Sequence, residues 1–397
     1  MSAARRIAFV CPRFAEHGTV GGAETLLRQM AERAAAAGRQ VVFLTTCATD
    51  HFSWANAVPP GARRLTDNFE VRFFPVDPRR DISAFLRAQN LIDRGAAYST
   101  DDEQVWLRNS VNSSALYSYL REEGREYDRI VMGPYLFGLT YFAARLHPDR
   151  TMLVPCLHDE NFARVRAFGE MFRSVRGIIF NSAPERDLAR RLYGVPAERT
   201  WVVGMGLDPF DADPERFRRR HGLTMPYLLY AGRREAGKGV PLLLDYLDLY
   251  RKLNQGDLRL VLLGGGSVPL PPDLAPAVVD AGFVSEEDKQ SAMAGAAVFC
   301  QPSTNESFSI VLLEAWLAGA PALVHAACAV TTHHCRRSGG GLWFMTYAEF
   351  EAELRLLLEH ADLRRRLGAA GRAYVQREYR WPVILARFLE ALDHSGE

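Results

Sequence analysis

The sequence predicts an α/β protein built as two successive doubly wound domains. Short apolar runs alternate with longer segments of helical period, the alternation occurs twice, and a turn-rich acidic stretch separates the two sets. In the first set, residues 6–12 are apolar and β-branched enough for a buried strand. A loop over 13–22 follows, then a helix over 23–37 that stops at Gly38. Residues 40–47 and 70–76 read as strands, and an irregular polar stretch leads to a helix around 105–123. Strands at 129–133, 151–157, 177–181 and 200–203 complete the set, with helical segments such as 141–146 and 183–193 between them.

Residues 204–221, GMGLDPFDADPERFRRRH, read as the interdomain linker because prolines and glycines cluster around acidic turns. The second set has strands at 227–231, 258–263, 278–283, 297–301, 321–325 and 342–345. Helices over 240–253, 286–294 and 309–318 lie between them. From residue 347 the chain is mostly helical, with a break at Trp381-Pro382. Doubly wound sheets hold ligands at the carboxyl ends of their strands, so two such domains facing one another predict an interdomain cleft as the binding site.

Composition narrows the function classes. Forty-eight basic residues stand against 47 acidic ones among 397, a net charge of +1, so the basic excess of a phosphate-driven nucleic-acid binder is missing. No apolar run approaches the roughly 18 residues of a membrane span, and MSAARRIAFVCPRF has too short an apolar stretch for a secretory signal. A cytoplasmic location is expected. Six cysteines form no C-x-x-C pair and read as reduced thiols. Lys238, Lys252 and Lys289 are the only lysines in an arginine-rich chain.

The strongest chemical signal is PSTNESFSIVLLEAWLAGAP, after the strand ending at residue 301. A helix beginning near Ser307 or Ser309 and ending at Gly319 puts Glu306 before it and Glu314 inside it. Over eight residues at 1.5 Å each they stand roughly 12 Å apart, about the length of a ribose–diphosphate–sugar unit. The free N–H groups of the helix start, between them, suit a diphosphate. On spacing alone, a cap at Glu306 and a solvated Glu314 explain the pair better than a ligand does.

A second signal is YAGRREAGKGVPLLL, a strand, a glycine-rich turn and a helix. Arg233 and Lys238 in that turn, with backbone amides at the helix start, make a cradle for a diphosphate. The string is one residue short of a P-loop, and Gly239 stands where that motif needs a hydroxyl for magnesium, so a nucleoside triphosphatase is the alternative reading. A third is Gly21-Gly22 before the first helix, where glycine lets the helix start approach a phosphate. A fourth is His158-Asp159, closing an apolar strand where a histidine can hydrogen-bond a reacting hydroxyl.

Two further patterns have plainer explanations. Asp211-Ala212-Asp213 fits a metal-binding D-x-D but precedes Pro214 at a helix start, where capping accounts for it. Cys328 with His333-His334-Cys335 matches no usual zinc spacing. Arg336-Arg337 and the glycines 339–341 are expected to form an anion-facing loop.

These pieces, in this order, resemble the retaining glycosyltransferase family four, whose members have the GT-B fold of two Rossmann-like domains. The matching stretches are GGAE at 21–24, HD at 158–159, GLD at 206–208, GRREAGKG at 232–239 and ESFSIVLLEA at 306–315. The closing EYRWPVILARFLEAL resembles the family's last helix, which crosses back to the first domain. The resemblance implies an acceptor-binding domain over 1–205, a nucleotide-sugar-binding domain over 206–380, and a helix over 381–397 packed on the first.

The resemblance also implies roles. Glu314 binds ribose hydroxyls and Glu306 the hydroxyls of the donor sugar. Arg233 and Lys238 neutralise the diphosphate, Gly21 and Gly22 approach it, and His158 stands beside the reacting sugar. Amides near Phe308, Ser309 and Ile310 contact the sugar or its phosphates. The implied activity is transfer of a sugar from a nucleoside-diphosphate sugar to a hydroxyl of a glycan or glycolipid, with retention, no cofactor and no obligatory metal. A nucleotide-sugar epimerase of the same fold, or a relative that only binds, are further readings.

The chain departs from the family twice: Ser307-Phe308-Ser309 replaces glycine-phenylalanine-glycine, and CAVTTHHCRRSGGGL replaces a glycine-rich loop. The mixed aromatic and polar residues of 81–114 suit a carbohydrate acceptor or a solvated helical insertion. Arg63-Arg64, Arg79-Arg80 and Arg218 to Arg220 are candidate basic patches for peripheral contact with the inner face of the membrane.

Overall fold

The structure, a computed structural model, describes residues 5–16, 21–254 and 257–394. Part of the first loop (17–20) and the chain's last three residues (395–397), both inside stretches read above, lie outside the described residues. The chain divides into two compact units, Met1–Met205 with Ile384–Glu397, and Gly206–Val383.

The first unit is built on eight strands: β1 (Arg6–Val10), β2 (Gln40–Thr46), β3 (Gly61–Thr66), β4 (Phe69–Phe74), β5 (Arg129–Met132), β6 (Thr151–Leu153), β7 (Gly177–Phe180) and β8 (Thr200–Val202). Their order in the sheet is β3-β4-β2-β1-β5-β6-β7-β8, parallel except where β3 meets β4. β1, β2 and β5 are near-continuous apolar runs because helices cover both faces of a parallel sheet. β3, GARRLT, is exposed along its length and was not expected from the sequence. An edge strand needs no apolar alternation, so periodicity does not reveal it.

The helix expected at 105–123 is two helices, Thr100–Asn109 and Ser114–Glu123, preceded by a third over Ile82–Asp93. Ser99 and Asp102 form a capping box for the first, and Ser113 caps the second by accepting the Leu116 N–H. The region 81–114 is therefore a helical insertion. Its aromatic residues turn inward: Trp106 is buried and stacks on Phe162 and Phe85. The chain's last helix, Trp381–Asp393, supplies Phe388 against Phe9 of β1, and Asp393 pairs with Arg5 at 2.5 Å and Arg39 at 2.7 Å.

The second unit holds β9 (Tyr227–Ala231), β10 (Arg259–Leu263), β11 (Val278–Gly282), β12 (Val298–Gln301), β13 (Ala322–His325) and β14 (Gly341–Phe344). They run in the order β11-β10-β9-β12-β13-β14, all parallel. The linker is shorter than the sequence suggests, because residues Pro214–His221 are a helix of this unit. Asp213 of the D-x-D string is its cap, accepting the Glu215 N–H at 2.9 Å and pairing with Arg219. Arg216 and Arg220 clasp Asp288, and Arg218 reaches the Gly295 carbonyl at 2.9 Å, so Arg218 and Arg220 fasten this helix to Glu286–Gly295 while Arg219 stays exposed beside Asp213.

Among the parallel strands of each sheet the order reverses direction once, between β1 and β5 and between β9 and β12. The loops leaving the carboxyl ends of those strands are where such folds bind ligands. All six cysteines are free thiols; five are buried and Cys156 is half-buried. Among the described residues no helix is long and apolar enough to cross a membrane.

Candidate functional site

At the reversal point of the second sheet, the loop after β9 meets the loop after β12. The β9 loop turns through a short helical turn, Ala236–Lys238, and enters the helix Val240–Leu253 at Gly239. Gly239 has φ +73°, and a Cβ there would lie 2.5 Å from the Pro302 carbonyl oxygen. The two loops therefore touch where only glycine fits. A serine at 239, as a P-loop requires, has no room.

This close approach brings together two residues far apart in sequence. Lys238 Nζ donates to Glu306 Oε1 at 2.8 Å, and both side chains are largely buried, 23% and 12% exposed. Gln301 Nε2, from the last residue of β12, donates to the same oxygen at 3.1 Å. Glu306 is thus not a helix cap. Arg233 reaches outward, 62% exposed and paired with Glu235 at 3.1 Å, while its carbonyl accepts the Tyr230 hydroxyl at 2.6 Å. The neighbouring Arg234 is the buried arginine, tied to Asp280.

The helix after Glu306 runs Ile310–Ala318, later than the sequence suggests. Ser309 delays it by adopting φ +68° and ψ +68°, a left-handed conformation that costs a non-glycine residue about 1–3 kcal/mol. Because residues 306–309 are not helical, the 12 Å spacing expected from a continuous helix does not apply. Phe308 is buried against His334 and Tyr379.

Glu314 is not solvated. It sits on the inner side of its helix, 18% exposed, and accepts from Lys289 at 3.0 Å. Its Oε2 is buried and receives no hydrogen bond. Burial pushes the carboxyl above its ordinary value although the Lys289 ammonium pulls the other way. Burial alone would lower Lys289, but Glu314 and Glu286 hold it above its usual value.

The stretch read as an anion-facing loop is a helix, Ala329–Ser338. Arg336 and Arg337 lie in its last turn, exposed, and Arg336 covers the Trp343 ring. A helix following a parallel strand runs back, so they lie at the opposite end from the carboxyl ends of the strands. His334 is fully buried, and burial, with His333 beside it, pulls its imidazole down to about 3, so it is neutral. Among the described residues no three His, Cys, Asp or Glu side chains converge as a metal ion requires.

In the first unit, Gly21 caps the helix Gly22–Ala36 with extended backbone. A Cβ at Gly21 would meet the Glu24 carboxylate at 2.3 Å and the Arg13 guanidinium at 3.3 Å. The glycine makes room for a buried Arg13–Glu24 pair that sequence reading missed. Its one sequence signal is an arginine set in the apolar run that ends β1.

His158 follows β6 and is half-buried, while Asp159 is exposed and pairs with Arg164 at 2.8 Å. The loop is anchored from beneath by Glu185, whose carboxylate accepts the N–H of Leu157 and of Asn181, each at 2.6 Å. Burial pushes this carboxyl up to about 8, against the pull of those amides. The folded chain therefore binds a proton here between about pH 4.5 and 8, where an unfolded glutamate is ionised. Stability from this group is full below that interval and is lost as pH rises through it, by up to about 1.4 kcal/mol per unit. Calorimetric unfolding should show a midpoint that falls between pH 6 and pH 8, and Glu185→Gln should flatten that fall.

Comparison with known proteins supplies the family. A family model described as "Glycosyl transferases group 1" matches residues 211–374, and one described as "Glycosyltransferase Family 4" matches residues 20–209. Phosphatidyl-myo-inositol mannosyltransferase of Mycobacterium tuberculosis is 34% identical over 189 residues, 44% of this chain and 48% of that protein. The chain thus spans about half the length of the curated relatives it matches. Sucrose-phosphate synthase from Thermosynechococcus elongatus superposes with a TM-score of 0.70 at 17% identity, over 97% of this chain and 98% of that one. Anabaena HepE, solved with UDP and glucose, gives 0.68 at 18% over the same shares. At these identities the superpositions establish the fold. The two models meet at residue 210, one on either side of it, and the chain belongs to the group 1, family 4 glycosyltransferases, with the two Rossmann-like domains of the GT-B fold.

Proposed function

We propose that the protein transfers a sugar from a nucleoside-diphosphate sugar to a hydroxyl of a glycan or glycolipid, with retention at the anomeric carbon and without an obligatory metal. The observation that carries the reading is the Lys238–Glu306 pair at the reversal point of the second sheet. Such a pair offers an ammonium suited to a leaving diphosphate beside a carboxylate suited to a sugar hydroxyl.

The barrier lies in the departure of a dianionic diphosphate from an oxocarbenium-like sugar. Lys238 and the amides of Phe308, Ser309 and Ile310 meet that charge as it develops, and Arg233 joins them. Arg233 is free to swing to a phosphate because it is mostly exposed. Glu306 receives both of its hydrogen bonds on Oε1, which leaves Oε2 for a sugar hydroxyl. The unsatisfied Oε2 of Glu314 suits a ribose hydroxyl once Lys289 shifts. The HepE complex with UDP and glucose supports a donor of this class, and the mannosyltransferase relative supports a lipid-linked acceptor. Peripheral membrane contact at the inner face, in a cytoplasmic protein, would follow from such an acceptor.

A panel of nucleotide sugars tests this. The cognate donor at a hundred times its Kd should stabilise the chain by about 2.7 kcal/mol. With acceptor it should release nucleoside diphosphate in the presence of EDTA, and the product should keep the donor's anomeric configuration. Magnesium-dependent phosphate release from a nucleoside triphosphate, or donor converted without acceptor, would replace this reading with the triphosphatase or the epimerase.

A further inference from the structure

The carboxylate of Glu306 is held by more than Lys238. Gln301 and Ser309 are both buried, at 4% and 5% exposure, beneath the loop that carries it. Ser309 Oγ donates to Gln301 Oε1 at 2.5 Å, and Gln301 Nε2 donates to Glu306 Oε1 at 3.1 Å. The order of these two bonds matters. An amide has one accepting end and one donating end, so a hydroxyl committed to the oxygen turns the NH2 toward the carboxylate. Without it the amide can rotate and set its oxygen against the charge of Glu306.

The backbone at Ser309 supports a role beyond packing. Its φ of +68° is a conformation that glycine adopts freely and serine does not. Glycine would relieve the strain yet supply no hydroxyl. A strained residue beside a candidate site, with its side chain joined to the amide that holds Glu306, is where function and stability part company.

We propose that Ser309 and Gln301 are positioning residues for Glu306: the serine hydroxyl locks the amide of Gln301, and the locked amide, with Lys238, aims the carboxylate at the donor sugar. The proposal rests on the transferase reading of the site. It assigns neither residue a contact with the reacting atoms through this relay; both act through Glu306.

The test compares kcat, donor KM and thermal midpoint for the full chain and for Ser309→Gly, Ser309→Ala, Gln301→Leu and the double variant Ser309→Gly with Gln301→Leu. Ser309→Gly should unfold at the same temperature or higher, yet lose about tenfold in kcat with donor KM within threefold. Ser309→Ala keeps the strain and loses the hydroxyl, so its kcat should fall alike and keep the proposal testable if another variant folds poorly. The double variant should lose no more than Gln301→Leu alone, because the two residues act as one unit. A Ser309→Gly chain that transfers within twofold of the parent, or losses that multiply in the double variant, would overturn the relay while leaving the transferase reading intact. A parent chain that transfers from no nucleotide sugar overturns the reading and the relay together.

Discussion

Replacing Glu306 by alanine is expected to lower kcat for transfer by about 10³-fold, a loss within the range of a single essential polar group in a preorganised site. The carboxylate is largely buried and takes hydrogen bonds from Lys238 and Gln301, so its position is fixed before any ligand arrives. Its removal frees the Lys238 ammonium for the diphosphate. Affinity for the nucleoside diphosphate should therefore hold or rise while turnover falls, so that kcat and KM move apart. Titration calorimetry with the diphosphate and a product assay with the sugar donor measure the two halves. The circular dichroism of the variant should match the parent, because the loop lies at the end of the sheet and outside its core. Near-parental turnover would exclude Glu306 from the chemistry.

Lys238→Ala should cost about 10²–10³ in kcat/KM and weaken diphosphate binding as well, the opposite split from Glu306→Ala. Two effects add. The leaving group loses its buried cation, and Glu306, now without its partner, repels the diphosphate. Lys238→Arg should recover only part of the loss, because a planar guanidinium does not fill the place of a compact ammonium beside the Gly239–Pro302 contact. Combining Lys238→Ala with Glu306→Ala should cost less than the product of the two, since removing the carboxylate also removes the repulsion. Multiplicative losses would mean that the two side chains act separately despite their 2.8 Å contact.

Much of this site is legible in the sequence because it is carried by residue types that local pattern makes conspicuous. Glu314 interrupts an apolar helix, Glu306 stands just before it, and Lys238 is a rare lysine in a glycine-rich turn. The buried strands are equally plain, as continuous apolar runs. What escapes depends on partners distant in the chain or on weak local pattern. β3 gains its structure from pairing with β4, not from its own alternation. The helix Ala329–Ser338 hides behind polar letters, because Val330 is joined on its buried face by Thr331, Thr332, His334 and Cys335. Gln301 looks like any strand end until Ser309 and Glu306 are seen on either side of its amide. The Arg13–Glu24 pair joins residues eleven apart, and Gly21, whose missing side chain makes room for it, reads in the sequence as an ordinary helix-start glycine.

The state of the cysteines has a practical consequence. Five thiols are sealed in the interior, and burial raises the half-exposed Cys156 thiol far above its usual range, keeping it protonated at neutral pH. The parent chain is thus a quiet background for maleimide chemistry. A cysteine introduced on the exposed face of β3 and another on the outer turn of the helix Tyr347–Glu359 would accept a dye pair without first stripping the native thiols, giving a spectroscopic ruler between the two units during turnover.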